Sequence, residues 1–130
     1  MAHPNEDLVR GGFEAFGRGD LDALRREYFA EDIRWHIPVR GQLAGDYEGV
    51  GQVLELFGRA FELTSGTLRL DLHDVVANDE HAVALYTANG ERAGRRLHDH
   101  TVGVFHARDG KITQVWLHSD DLYAADEFWF

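Results

Sequence analysis

Residues 67–119 read TLRLDLHDVVANDEHAVALYTANGERAGRRLHDHTVGVFHARDGKITQVWLHS. Four segments of about ten residues, rich in Val, Leu, Thr and aromatics, stand out as strands: Thr67–Ala77, His81–Glu91, Arg95–Ala107 and Lys111–Ser119. They are separated only by Asn78-Asp79-Glu80, Ala93-Gly94 and Arg108-Asp109-Gly110. Parallel neighbours need a crossover of a dozen or more residues, whereas turns this short join antiparallel ones. The second half therefore predicts an antiparallel meander.

The first half changes period. From Asn5 to Gly17 the residues Leu8, Val9, Gly12, Phe13 and Phe16 form one helical stripe, closed by Gly17 and Gly19. Asp20 caps a second short helix carrying Leu21, Leu24 and Tyr28. Ile33, Trp35 and Ile37 then alternate with Arg34 and His36 as a strand that stops at Pro38. Gly41 to Gly49 reads as a loop with room for a small hairpin, and Val50, Val53, Leu54, Phe57, Ala60 and Phe61 restore helical spacing up to Leu63. Asp120 to Phe130 is acidic with Leu122, Tyr123, Phe128 and Trp129, a terminal helix or lid. Helices followed by a meander give an α+β layer in which the long helix covers one face of a curled sheet and leaves a concave cavity.

Composition narrows the function. The chain of 130 residues has the length of one domain. Its formal charge of −10, from 13 basic and 23 acidic residues, leaves no basic stripe for phosphates, so no nucleic-acid partner is expected. No apolar run approaches the roughly 20 residues of a membrane span, and Met1 to Asp7 lacks a signal pattern, so a cytoplasmic location is expected. The absence of cysteine removes disulfides, thiolate nucleophiles and Cys-type zinc sites. Gly49-Val50-Gly51 resembles half of a dinucleotide fingerprint, but it follows a loop and Leu54 stands at the third glycine. No serine-hydrolase, zincin or Walker pattern occurs, and no cofactor is expected.

Phe16-x-x-Gly19-Asp20-Leu21-Asp22-Ala23-Leu24, Ile33-x-Trp35-His36-x-Pro38 and Leu43-Ala44-Gly45-x-Tyr47-x-Gly49 occur in that order. His73-Asp74-Val75-x-Ala77, Val104-Phe105, Asp109-Gly110-Lys111-Ile112, Trp116 and Asp126-Glu127-Phe128-Trp129 follow. Spread over essentially the whole chain, they resemble the SnoaL-like branch of the nuclear-transport-factor-like superfamily, related to the ketosteroid isomerases. The resemblance implies one α+β domain over residues 1–130: a cone-shaped curved antiparallel sheet, three helices on its concave side, and a pocket at the open end. It also implies a small apolar ligand and homodimers through the sheet. Members range from isomerases, cyclases, epoxide hydrolases and dehydratases to non-catalytic binders, so the fold does not fix the reaction.

Ketosteroid isomerases combine an Asp base with a Tyr and a protonated Asp in an oxyanion hole. Alignment places these positions at Ile37, about Gly12 and near Val102, none of which moves protons, so isomerisation by that mechanism is not expected. The epoxide-hydrolase pattern also fails, because Leu97 and His98 follow Arg95-Arg96 and the later Asp falls at about Leu117. SnoaL-like cyclases use a pocket Asp or His as general acid/base, and the resemblance makes His100, His118 and Asp120 the catalytic candidates.

His98-Asp99-His100 sends two imidazoles to one face of a strand and the carboxylate to the other. With the imidazoles on the concave face, His100 is a general base with a pKa suited to enolisation. Otherwise the pair are ordinary surface histidines. Two His at i and i+2 can also chelate a metal, but no third ligand stands at a fixed spacing and no metal is expected. Trp116, His118 and Asp120 share one parity, so His118 with Asp120 makes an oriented base, or Asp120 simply caps the following helix. The pocket wall is expected from Phe16, Trp35, Ile37, Phe57, Phe61, His98, Val102 and Trp116, with the hydroxyls of Tyr47 and Tyr86 at its rim. Two functions stay open. One is cofactor-free acid–base chemistry of cyclase, isomerase or dehydratase type on an apolar carbonyl compound; the other is a non-catalytic ligand-binding or dimerisation module of the same fold.

Overall fold

The computed structural model describes residues 2–38 and 40–129. Helix α1 spans Pro4–Gly17. Proline sits in its first turn, the His3 ring accepts from the Asn5 N–H at 3.0 Å, and Glu6 and Asp7 complement the helix dipole. It buries Val9, Gly12, Ala15 and Phe16. The short helix α2, Leu21–Ala23, is capped by the Asp20 carboxylate on the Ala23 N–H at 3.0 Å and continues as a π-turn over Leu24–Tyr28. The chain then runs through β1 (Phe29–Ile37), β2 (Gly45–Glu48) and α3 (Val50–Leu63). Helix α3 packs Val50, Val53, Leu56, Phe57 and Ala60 inward.

Strands β3 (Arg69–Ala77), β4 (His81–Arg92), β5 (Arg95–Arg108) and β6 (Lys111–Ser119) form the meander, and α4 (Leu122–Trp129) follows. Two hairpins turn on residue pairs with positive φ, Ala93-Gly94 (50° and 79°) and Asp109-Gly110 (53° and 75°). Both central positions at φ > 0 give the turn whose twist matches that of paired strands.

The sheet order is β2-β1-β6-β5-β4-β3. The sequence predicts an antiparallel sheet, and every pair is antiparallel except β1 with β6, which run parallel. The intervening chain, with α3 and the meander, is long enough to return β1's partner in the same direction. The curved sheet remains unclosed, and α1 and α3 lie against its concave side. There they meet a continuous core that includes Ile33, Val53, Ala84, Val115 and Phe57. Among the described residues no helix is long and apolar enough to cross a membrane.

Candidate functional site

Helices and sheet do not meet everywhere, and a cavity of about 170 Å³ remains between them. Val9, Phe13 and Phe16 of α1, and Leu56, Phe57 and Ala60 of α3, form its helical wall. Edge-to-face contacts lock the aromatics: Phe16 on Phe57 at 5.1 Å between centroids, and Phe57 on Trp35 at 5.0 Å. The Trp35 indole nitrogen is buried without a hydrogen-bond partner among the described residues.

Helix α4 covers the cavity with Ala125 and Trp129, beside Leu43. Arg92 Nη1 donates to the Phe128 carbonyl at 3.0 Å and Arg95 Nη1 to that of Glu127 at 2.6 Å. Both guanidinium groups therefore sit at the negative end of this short helix, where the dipole favours cations. The Arg40 N–H donates to Asp126 Oδ1 at 2.6 Å, tying the β1–β2 loop to the same cover.

The hydroxyl and carboxyl groups of the wall are confined to the sheet side. Tyr86, Thr101 and Ser119 are successive cross-strand partners on β4, β5 and β6, and Asp99 lies two residues from Thr101 on the same face. Ser119 Oγ donates to Asp99 Oδ1 at 2.6 Å, and Thr101 Oγ1 donates to the Asp99 carbonyl at 3.3 Å. Burial pushes the half-buried Asp99 carboxyl above the ordinary carboxylate range, the Ser119 hydroxyl pulls it back, and the neighbouring Asp120 pushes it further up. Burial, followed by the charge of Asp99, raises the Tyr86 phenol, which therefore stays protonated as a donor. Gly103 makes this arrangement possible, since a Cβ there would lie 2.7 Å from the Phe105 ring and 3.5 Å from that of Tyr86.

Of the residues expected to line the pocket, Phe16, Trp35, Ile37, Phe57 and Tyr86 do so. Phe61 instead backs the wall, its ring tilted against that of Phe16 at 4.9 Å between centroids, and Tyr47 donates its hydroxyl to the Leu43 carbonyl at 2.8 Å. His98, Val102 and Trp116 correct the expected parity: all three point to the outer face of the sheet. The reason is that Leu97, Thr101 and Phe105 hold the inward positions of β5, and Val115, Leu117 and Ser119 those of β6. His100 and His118 follow them to the exposed outer side, where they share a shallow groove with Asp120. Asp120 still acts on the cavity through its charge on Asp99. The alternation in His98-Asp99-His100 was legible, but the carboxylate, not the imidazoles, faces inward. Leu97 and Phe105 share the parity of Asp99, but Val102 and Val104 on the opposite parity left the choice open in the sequence. Among the described residues no group of three His, Asp or Glu is arranged to hold a metal ion.

The SnoaL-like domain family matches residues 9–115. An uncharacterized protein of Mycobacterium tuberculosis is 35% identical over 124 residues, covering 95% of this chain and 94% of its own. The structure of Bal32a, from a soil-derived mobile gene cassette, superposes with a TM-score of 0.95 at 35% identity and covers 99% of this chain and 98% of its own. A nuclear-transport-factor-like protein from Burkholderia xenovorans gives a TM-score of 0.83 at 27% identity, covering 100% of this chain and 98% of its own. With the match to most of its length and the cavity between curved sheet and helices, this chain belongs to the SnoaL-like family of the nuclear-transport-factor-like superfamily.

Proposed function

We propose that the protein catalyses cofactor-free proton transfer on a small apolar carbonyl compound, with Asp99 as the acid–base group. The observation that carries this reading is a single inward carboxylate, half-buried and hydrogen-bonded to Ser119, set in an otherwise apolar cavity beside the hydroxyls of Tyr86 and Thr101. A carboxylate made more basic by burial is suited to removing a proton from carbon next to a carbonyl. The hydroxyls of Tyr86 and Thr101 then donate to the oxygen that gains negative charge. The protonated Asp99 returns the same proton to another carbon of the enolate, so the atoms balance without a co-reactant. Size narrows the ligand: an apolar cavity of about 150 Å³ accepts benzene, so about 170 Å³ suits a molecule of one ring.

The test is hydrogen–deuterium exchange into a panel of cyclic enones and ketones in D2O, followed by NMR with the native chain and with Asp99→Asn. The native chain is expected to accelerate exchange for at least one member, and Asp99→Asn to reduce that acceleration by about 100-fold or more. Binding of the panel without exchange would overturn catalysis. That outcome would favour the second reading, a ligand-binding module, which draws support from a cavity wall that carries no histidine among the described residues.

A further inference from the structure

Among the described residues, the indole nitrogen of Trp35 is the one buried side-chain polar atom without a hydrogen-bond partner. The residue is 8% exposed and the nitrogen itself is closed to water. A native chain rarely leaves such a donor unpaired, because burying an N–H without an acceptor forfeits the bond it makes in water. The neighbouring rings do not replace that bond. Phe57 stands edge-to-face with Trp35 at 5.0 Å and Phe29 is tilted against it at 5.8 Å, so each offers at most a ring face. An N–H on a ring face makes up for a full hydrogen bond only in part. Packing alone needs no nitrogen here, and Trp35 lines the cavity, which is the direction from which an acceptor can come.

The backbone sets this donor apart from the polar row of the wall. Trp35 pairs with Val115 of β6, and Val115 with Phe105 of β5. Thr101 and Ser119 lie four residues further along those strands, toward α4, with Asp99 beyond them. Four residue steps of about 3.3 Å and two strand spacings of about 4.8 Å put the Trp35 and Thr101 α-carbons about 16 Å apart on a flat sheet, and closer across the concave side of a curved one. The two side chains take up part of that distance. What is left suits one ring with oxygens at opposite corners, held at both ends by hydrogen bonds of about 2.9 Å. The wall also fixes the chemistry of the far oxygen. Among the described residues no Lys, Arg or His lines the cavity, so an anion beside Trp35 would be buried without a counter-charge. The indole N–H only donates, which excludes an ammonium group and selects a neutral carbonyl, ether or hydroxyl oxygen. Trp129, the other tryptophan of the wall, belongs to the α4 cover and is partly exposed.

We infer that Trp35 is a second anchor of the cavity, and that the ligand is a neutral single-ring compound with two oxygens on opposite sides, one held by the Trp35 N–H and the other by Tyr86 and Thr101. The Tyr86 and Thr101 half rests on the acid–base reading proposed above; the Trp35 half stands on its own unpaired donor. The indole keeps its proton throughout, so Trp35 binds and orients. With the far oxygen fixed, the carbon next to the carbonyl is turned toward Asp99, which shares the sheet wall with Thr101. The same donor gives specificity. A ring with an apolar group at that end leaves the N–H unpaired, and a site built to donate to an oxygen rejects the analogue that lacks it.

Titration of the nitrogen-15-labelled full chain with cyclohexane-1,4-dione and with cyclohexanone, followed through the indole N–H signals of Trp35, Trp116 and Trp129, tests this. Trp116→Phe and Trp129→Phe assign two of the three signals and leave the third to Trp35. The dione is expected to move the Trp35 indole proton downfield, as a new hydrogen bond does. In Trp35→Phe, checked for folding by circular dichroism, the ratio of dione to cyclohexanone affinity should fall about tenfold, the equivalent of one hydrogen bond to a buried donor. Comparing that ratio between the two proteins cancels the different hydration of the two ketones. A dione that does not bind, that binds without moving the Trp35 signal, or whose affinity ratio to cyclohexanone is unchanged in Trp35→Phe would each overturn the inference. Should that variant not fold, the indole signal of the native chain decides alone. Deuterium exchange into the dione without a Trp35 shift would overturn this inference and leave the acid–base reading standing; a Trp35 shift without exchange would do the reverse.

Discussion

Replacing Ser119 by alanine removes the hydroxyl that donates to Asp99 Oδ1 at 2.6 Å. A hydrogen bond to an ionised group contributes about 1.5–3 kcal/mol, and the partial exposure of Asp99 places this one at the low end. At 1.36 kcal/mol per pH unit, losing about 1.5 kcal/mol of preference for the carboxylate moves the Asp99 pKa up by about one. The linkage has a definite sign. The folded pKa already stands above the unfolded value near 3.9, so the folded state holds the extra proton between the two, and stability falls as pH rises through that window. Ser119→Ala widens the window, leaving the variant less stable than the native chain by about 1.5 kcal/mol at pH 7. Asp120→Asn removes a charge that raises the same pKa and should move it the other way. The assay is a carbon-13 carboxyl NMR titration of Asp99 in the three proteins, with urea denaturation at pH 7. An Asp99 pKa that falls in Ser119→Ala, or rises in Asp120→Asn, would refute the account of the site's electrostatics.

Other expectations concern the cavity and its cover. Gly103→Ala puts a methyl group 2.7 Å from the Phe105 ring and should cost about 1–3 kcal/mol, seen as a fall in Tm. Ala60→Leu adds three carbons from α3 into the cavity, at up to about 0.8 kcal/mol of stabilisation each; calorimetry should show ring-sized ligands excluded while thermal stability holds or rises. Arg92→Ala frees the Phe128 carbonyl at the end of α4, and faster amide exchange confined to residues 122–129 is the expected signature.

The period of the sequence was enough for the elements. Apolar spacing placed α1 and α3, the short turns at Ala93-Gly94 and Arg108-Asp109-Gly110 placed the hairpins, and the limits of the four meander strands agree within about two residues, whereas β1 begins at Phe29, four residues before the Ile33 at which its alternation was read. Most of the cavity's aromatic wall was legible for the same reason, since Phe16, Trp35 and Phe57 stand on stripes that must face a core. The polar row was not legible. Strand β5 carries Leu97, Thr101 and Phe105 on one parity and His98, Val102 and Val104 on the other, so neither face is plainly the polar one. The register break near Ala107 and Ile112 further separates the β6 pattern from that of its neighbour. Local sequence thus determined where the chain is helix, strand or turn, because those choices depend on residues a few positions apart. Which side of β5 and β6 faces the cavity, and hence that Asp99 and Ser119 meet there while His100 and His118 face outward, was decided only when α1 and α3 packed against one side of the curved sheet.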